Sequence, residues 1–225
     1  MPRIALIHAL SHSVAPVNAV MASQWPEATL MNLLDDSLSA DLARSGAGLD
    51  QAMHQRFQEL AAYAVGTGAQ AILFTCSAFG PCIDAVARRY PQIPVLKPNE
   101  AMIADASRAR GPLGLIATFA PTLESMPPEF PAGTNLRFAL AAGALDALDR
   151  GDAERHDALI AEQARQLAAV GCGTIALAQF SMARAQHACE HASGKPVLTT
   201  VHSAVLALKQ RLGHYLPADP HCLTP

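Results

Sequence analysis

The chain has 225 residues, of which 51% are hydrophobic and only 5% aromatic, and it carries a formal net charge of −3. Such a length buries one large core or two smaller ones, and the aliphatic bias is that of layered helix-and-sheet proteins. The small charge, with no basic run, excludes the electrostatic footprint of a nucleic-acid binder, and no stretch reaches the roughly 18 apolar residues of a membrane span.

The first apolar run, in MPRIALIHALSHS, is broken by His8 and Ser11 and is too short for a signal peptide, so a soluble cytoplasmic protein is expected. IALIHA (4–9), ATLMNLL (28–34), QAILFT (70–75) and IPVLKP (93–98) are apolar runs of strand length. DQAMHQRFQELAAYAVGTG (50–68) has helical spacing and ends on glycine, as helices often do. After Pro112 the pattern restarts: LGLIATF (113–119), NLRFALAAG (135–143), helical DAERHDALIAEQARQLAAVG (152–171), TIALAQ (174–179) and KPVLTT (195–200). Strands alternating with helices predict parallel sheets joined by right-handed crossovers.

The two halves align with each other. RIALIHAL (3–10) matches PLGLIATF (112–119), GAQAILFTCSAF (68–79) matches GCGTIALAQFSM (171–182), and IPVLKPNEA (93–101) matches KPVLTTVHSA (195–204). The offsets shrink along the chain, from 109 to 103 to 102, as a duplicated unit trimmed in its loops would leave them. The fold expected is therefore α/β: two pseudo-symmetric Rossmann-like lobes, each a four-stranded parallel sheet flanked by helices, over residues 1–98 and 99–204. Ligands in such sheets bind beyond the carboxyl ends of the strands, which places the candidate site in the crevice between the lobes. Cys76 stands at one of those ends.

A duplicated α/β chain of this length, with a cysteine ending the third strand of its first half in TCSAFG, resembles the aspartate/glutamate racemase superfamily. That group includes hydantoin racemases, maleate cis-trans isomerases and arylmalonate decarboxylases. The resemblance implies one cysteine per half facing a small carboxylate substrate from opposite sides, no cofactor and no metal. It also implies a homodimer, and a last helix, about 205–225, that packs back on the first lobe. Cys76 fills the first cysteine position. The second half departs from the pattern, because Gln179, followed by Phe180 and Ser181, occupies the place of the second cysteine. Where glutamate racemases carry an acidic group after the first strand, this chain reads IHALSHS.

Inverting a carbon acid without a cofactor needs one group to remove a proton from one face and another to return one to the opposite face. Glutamine does neither. The expectation is a cofactor-independent isomerase or racemase-like enzyme with Cys76 as its single reactive thiol, and with Gln179 donating a hydrogen bond to a substrate oxygen. Its proton exchange would then be confined to one hand of the substrate. A one-sided lyase such as a decarboxylase, a cysteine-dependent hydrolase, and a non-catalytic small-carboxylate binder remain alternatives. Backbone N–H groups of Ser77 and Ala78, with the dipole of a helix opened by Gly80 and Pro81, are expected to favour a thiolate at Cys76. A catalytic Cys76 would react with iodoacetamide ahead of the other thiols and be protected by a carboxylate ligand.

Substrate-binding candidates are Thr75, Ser77 and Ala78 around Cys76, Thr118 and Phe119 at the matching strand end, Ser11 in the first half, Ser181 behind Gln179, and His8 and His202. Each also has a plainer reading: Cys76 as a packed core thiol, His8 as a structural histidine, and Asn99, Glu100 and His202 as helix caps. Five cysteines at irregular spacing argue for reduced thiols, and Cys82, Cys172, Cys189 and Cys222 are read as structural. HACEH (187–191) fits a zinc-peptidase pattern, but it stands at the far end of a helix with little chain left for a third ligand, so no metal is assigned. GTGAQA (66–71) precedes a strand rather than following one and is not a dinucleotide loop.

Overall fold

The computed structural model describes residues 1–46, 48–109 and 111–215. The first lobe runs β1 (Arg3–His8), α1 (Val14–Gln24), β2 (Thr29–Leu34), α2 (Ser37–Ser45), α3 (Gln51–Gly66), β3 (Ala71–Phe74), α4 (Gly80–Arg89) and β4 (Val95–Leu96). There follow α5 (Glu100–Ala106), β5 (Leu113–Ala117), α6 (Ala120–Ser125), β6 (Leu136–Leu140), α7 (Ala144–Asp149), α8 (Ala153–Ala169), β7 (Thr174–Leu177), α9 (Gln186–Ser193), β8 (Val197–Thr199) and α10 (Thr200–Tyr215). No helix among the described residues is long and apolar enough to cross a membrane.

Both sheets are parallel and share one topology, β2-β1-β3-β4 and β6-β5-β7-β8. Their registers superpose. Ile4 pairs with Leu30 and Ala71 in the first sheet, and Leu113 pairs with Leu136 and Thr174 in the second. Ile72 faces Val95 just as Ile175 faces Val197. These pairings reproduce all three sequence offsets, and they add β2 and β6, which the sequence comparison did not align. The two long helices begin alike as well, with Asp50 accepting from Met53 N–H at 2.8 Å and Asp152 from Arg155 N–H at 3.0 Å. A side-chain oxygen at that position satisfies one of the helix's free N–H groups.

The central strands read as unbroken apolar runs because helices cover both faces of each sheet. AILF of β3 and LGLIA of β5 are buried throughout, whereas the edge strand β2 is only half-buried. One face of the first sheet packs α2, α3 and α4 through Leu38, Phe57 and Ile83. Its other face, with Ile4, Leu6 and Leu73, meets α1 and α10 through Val17, Met21, Val205 and Leu208. On the second sheet, α8 and α9 cover one face, and α5 lies on the other with Met102 and Ile103 against Leu113 and Leu115. Each lobe is thus covered by the helix that leaves the last strand of the other. α10 begins at Thr200, earlier than the sequence reading placed the last helix; residues 216–225, Cys222 among them, lie outside the described residues.

Gly114 marks the tightest point of this packing. A Cβ there would stand 2.9 Å from the Cδ1 atoms of both Ile175 and Leu167. Gly114→Ala is expected to destabilise the chain by about 1–3 kcal/mol through overpacking, read as a lowered urea midpoint with an unchanged slope.

Candidate active site

In each sheet the chain departs in opposite directions from the two central strands, which leaves a gap at their carboxyl ends. After β3 the ladder continues for one residue, with Thr75 N–H donating to Ile7 O at 3.0 Å. Cys76 then turns out in an extended conformation, φ −120° and ψ 121°, and caps the 3-10 turn Ser77–Phe79 that leads into α4. The second lobe repeats this step by step. Ala178 N–H donates to Ile116 O at 2.9 Å, and Gln179, φ −133° and ψ 147°, caps the 3-10 turn Phe180–Ala185. Cys76 and Gln179 therefore stand at equivalent points, two residues beyond the ends of β3 and β7.

Their environments differ. Cys76 is only 6% exposed and packs with Ala9, Leu38, Phe57 and Phe74. Burial pushes its thiol up to about 11, although Ala78 N–H and the Ser39 hydroxyl bond to it and pull the other way. This corrects the expected thiolate: the Ala78 N–H is in place, but desolvation of the charged form outweighs it. A thiol whose pKa is raised on folding contributes stability that is complete below the ordinary cysteine pKa and is lost as pH climbs through about 11. Gln179 has its amide oxygen fully engaged, accepting from Thr118 N–H at 2.6 Å and Thr118 Oγ1 at 3.1 Å. Its Nε2 group and the nearby Ser181 hydroxyl are buried without a hydrogen-bond partner among the described residues. Unpaired buried donors of this kind cost free energy that an acceptor recovers.

A crevice of about 540 Å3 opens where the lobes meet. The first lobe lines it with Ser11, His12, Asp36 and Ser39, and the second with Phe119, Leu145 and Asp149. Ser39 connects crevice to thiol, since it lines the crevice and lies against Cys76 while its hydroxyl gives its proton to Ala9 O at 3.0 Å. Phe119 reaches from the second lobe onto the apolar cluster that contains Cys76. Across the crevice, His12 Nε2 lies 2.7 Å from Asp149 Oδ1. The loop after Cys76 is fastened to the second lobe, with Ser77 Oγ 3.4 Å from Thr122 Oγ1 and Ser125 Oγ donating to Ser77 O at 3.2 Å.

Of the candidates read from sequence, Ser11 and Phe119 line the crevice, while Thr118 and Ser181 accompany Gln179. His8 and Thr75 do not line it. His8 is fully buried, its Nδ1 2.9 Å from Thr75 Oγ1 and its Nε2 2.9 Å from Asn32 Oδ1, and burial holds its pKa low. Both ring nitrogens are engaged within the sheet, which makes this a structural histidine. His202 is also displaced from the site. It lies exposed on α10 in a groove beside α5, with Nδ1 2.6 Å from Gln24 Nε2, because α10 turns that face outward while Val201 and Val205 go into the core. Sequence reasoning missed His12, Ser39 and Asp149. Only His12 had a local signal, its place in LSHS just after β1.

Cys82, Cys172 and Cys189 are fully buried, and burial raises all three thiols, Cys82 and Cys189 to about 12. His187 and His191 lie on α9, and no cluster of three metal-ligating side chains forms among the described residues. Iodoacetamide is expected to label Cys76 slowly near pH 8, faster toward pH 11, and ahead of Cys82 and Cys189. Phe119→Ala should accelerate Cys76 several-fold by uncovering it. Equal rates in the two proteins, followed by mass spectrometry of the labelled peptides, would show that Phe119 does not cover the thiol.

The model of the Asp/Glu/Hydantoin racemase family matches residues 15–208 of the chain. Solved structures of similar fold include the glutamate racemase from Thermus thermophilus in complex with β-chloro-D-alanine, with TM-score 0.75 and 19% identity over 98% of this chain and 84% of that one. The allantoin racemase from Klebsiella pneumoniae superposes with TM-score 0.69 at 15% identity, covering 98% of this chain and 91% of the other. The Picrophilus torridus aspartate racemase gives 0.69 at 12% identity, covering 95% of each chain. No curated protein matches at the level of sequence.

Proposed function

The chain belongs to the Asp/Glu/hydantoin racemase family, and from that premise we propose that this racemase-type enzyme uses Cys76 to transfer a proton at the carbon next to a carboxyl or carbonyl group of a small carboxylate substrate. The observation that carries this reading is the equivalence of Cys76 and Gln179, each two residues beyond the end of its lobe's third strand, with the crevice residue Phe119 packed on the cluster that holds Cys76 and its chain neighbour Thr118 bonded to Gln179. In such a site the thiol is the acid. It rests neutral, gives its proton to the substrate carbon, and leaves a thiolate that Ala78 N–H is placed to hold.

Gln179 has a different role. Its oxygen is tied to Thr118, so its Nε2 protons, with the Ser181 hydroxyl, are the donors left to hold the oxygen that becomes negative when the adjacent carbon loses its proton. A neutral thiol beside an amide also fits a one-sided decarboxylation, in which loss of carbon dioxide makes the carbanion and only an acid is needed. A hydrolase would need a thiolate nucleophile at rest, which burial of Cys76 opposes. No step requires a cofactor.

The test incubates the protein in D2O with both enantiomers of aspartate, of glutamate and of a 5-substituted hydantoin, and separately with maleate and an arylmalonate, each followed by NMR. Conversion of one of these by the wild type and its loss in Cys76→Ala is expected. Conversion that survives the substitution would remove Cys76 from the chemistry.

A further inference from the structure

Gln179 supplies no acid or base for the second face of the substrate, and the crevice holds three titratable groups, His12, Asp36 and Asp149. We propose that His12, held by Asp149, is the second proton-transfer group of the site and serves the face of the reacting carbon turned away from Cys76. The proposal rests on the reading of Cys76 given above.

Of the described histidines the structure leaves His12 alone in position for this work. Both nitrogens of His8 are engaged inside the first sheet, His156 is fully buried with Nδ1 2.7 Å from Asp157, and His202 lies outside, in the groove between α5 and α10. His12 lines the same crevice as Ser39, the residue that lies against Cys76. Its side chain is 26% exposed, open enough to meet a ligand. The carboxylate of Asp149 can only accept, so the 2.7 Å contact places the imidazole proton on Nε2. Nδ1 then carries the lone pair, and it has no hydrogen-bond partner among the described residues. A carboxylate behind one ring nitrogen fixes the tautomer and leaves the other nitrogen to take a proton. The two halves of the pair come from different lobes, His12 from the loop after β1 and Asp149 from the end of α7, so the group exists only when the lobes are apposed as here.

The steps balance. Nδ1 of His12 takes the proton from the substrate carbon, and the electron pair of that C–H bond moves into the enolate, whose oxygen faces the donors around Gln179. The Cys76 S–H then gives its proton to the opposite face, leaving thiolate and imidazolium. For the other hand of the substrate the thiolate takes the proton and the imidazolium returns one.

The experiment follows α-proton exchange in D2O, one enantiomer at a time, on aspartate, glutamate and a 5-substituted hydantoin. Wild type is expected to exchange both hands of one compound. His12→Asn should slow exchange of one hand by about 10²–10⁴-fold and leave the other within a few-fold, whereas Cys76→Ala should show the reverse preference. In His12→Gly, added imidazole should restore the affected hand, a rescue that no structural role would give, and Asp149→Asn should weaken that same hand. Exchange of a single hand that depends on Cys76 and ignores His12 would overturn the proposal and leave the Cys76 reading standing. Equal loss on both hands with lowered thermal stability and no imidazole rescue would make the pair an interlobe tether, which also overturns it. Exchange indifferent to Cys76 would defeat the reading beneath it, and no exchange from any of the three compounds would overturn the proposal, the Cys76 reading then standing or falling on conversion of maleate or the arylmalonate.

Discussion

Cys76→Ala is expected to lower net conversion of whichever probe the enzyme accepts by about 10³–10⁴-fold, the upper part of the range for removing a general acid or base. The effect should fall on turnover rather than on binding. Cys76 is buried behind Ser39 and Phe119, so its loss leaves the crevice wall intact. The void behind the thiol, ringed by His8, Phe57 and Phe74, is too tight for water, and deleting one sulfur there should cost no more than about 1–2 kcal/mol. Folding can therefore be checked by circular dichroism and urea unfolding on the same sample. Cys76→Ser should fare no better than alanine, because a hydroxyl in that desolvated place is a far weaker acid than a thiol. Activity within tenfold of wild type in either variant would show that the thiol is only a packed core residue.

Replacing Gln179 separates anion-holding from packing. Gln179→Ala should reduce turnover by about 10²–10³-fold if the amide donors meet the developing negative charge. It should also cost about 1–3 kcal/mol, because Thr118 N–H loses its acceptor in a buried place. Gln179→Glu keeps an oxygen for Thr118 but exchanges the Nε2 donors for a second acceptor. That variant should stay closer to wild type in stability and lose at least as much activity as alanine. Steady-state kinetics beside urea denaturation decide the matter, and a glutamate variant as active as wild type would take Gln179 out of the site.

Much of the fold was legible in the chain because it depends on local pattern. Four-residue runs such as AILF, buried on both faces, could be nothing but inner strands of parallel sheets once helical stretches separated them. The duplication was visible because strands β1, β3 and β4 keep their apolar order in β5, β7 and β8, and the sheet registers confirm the same offsets. Boundaries were less legible. β4 shrinks to Val95–Leu96 because Pro94 and Pro98 bracket it and lack the N–H that would extend the ladder. β2 and β6 escaped the alignment because these two edge strands are half solvated and lack an unbroken apolar signature, unlike the largely buried edge strands β4 and β8.

The site divides along the same line. Taken alone, the sequence determined that Cys76 and Gln179 are counterparts, since each closes an equivalent strand and strand ends follow from periodicity. It also determined that Thr118 sits beside that place, one residue past β5. What only the tertiary structure decided is how these groups behave and which others join them. The thiol that a helix start was expected to ionise is held neutral, because Leu38, Phe57 and Phe119, remote in the chain, remove water from it. His8 and His202 leave the list because one turns into its sheet and the other out of the molecule. His12 becomes a candidate through a carboxylate 137 positions away in the other lobe. Periodicity reports which face of a strand or helix is buried, but desolvation and hydrogen bonding depend on everything that packs against that face, and most of those neighbours come from distant parts of the chain.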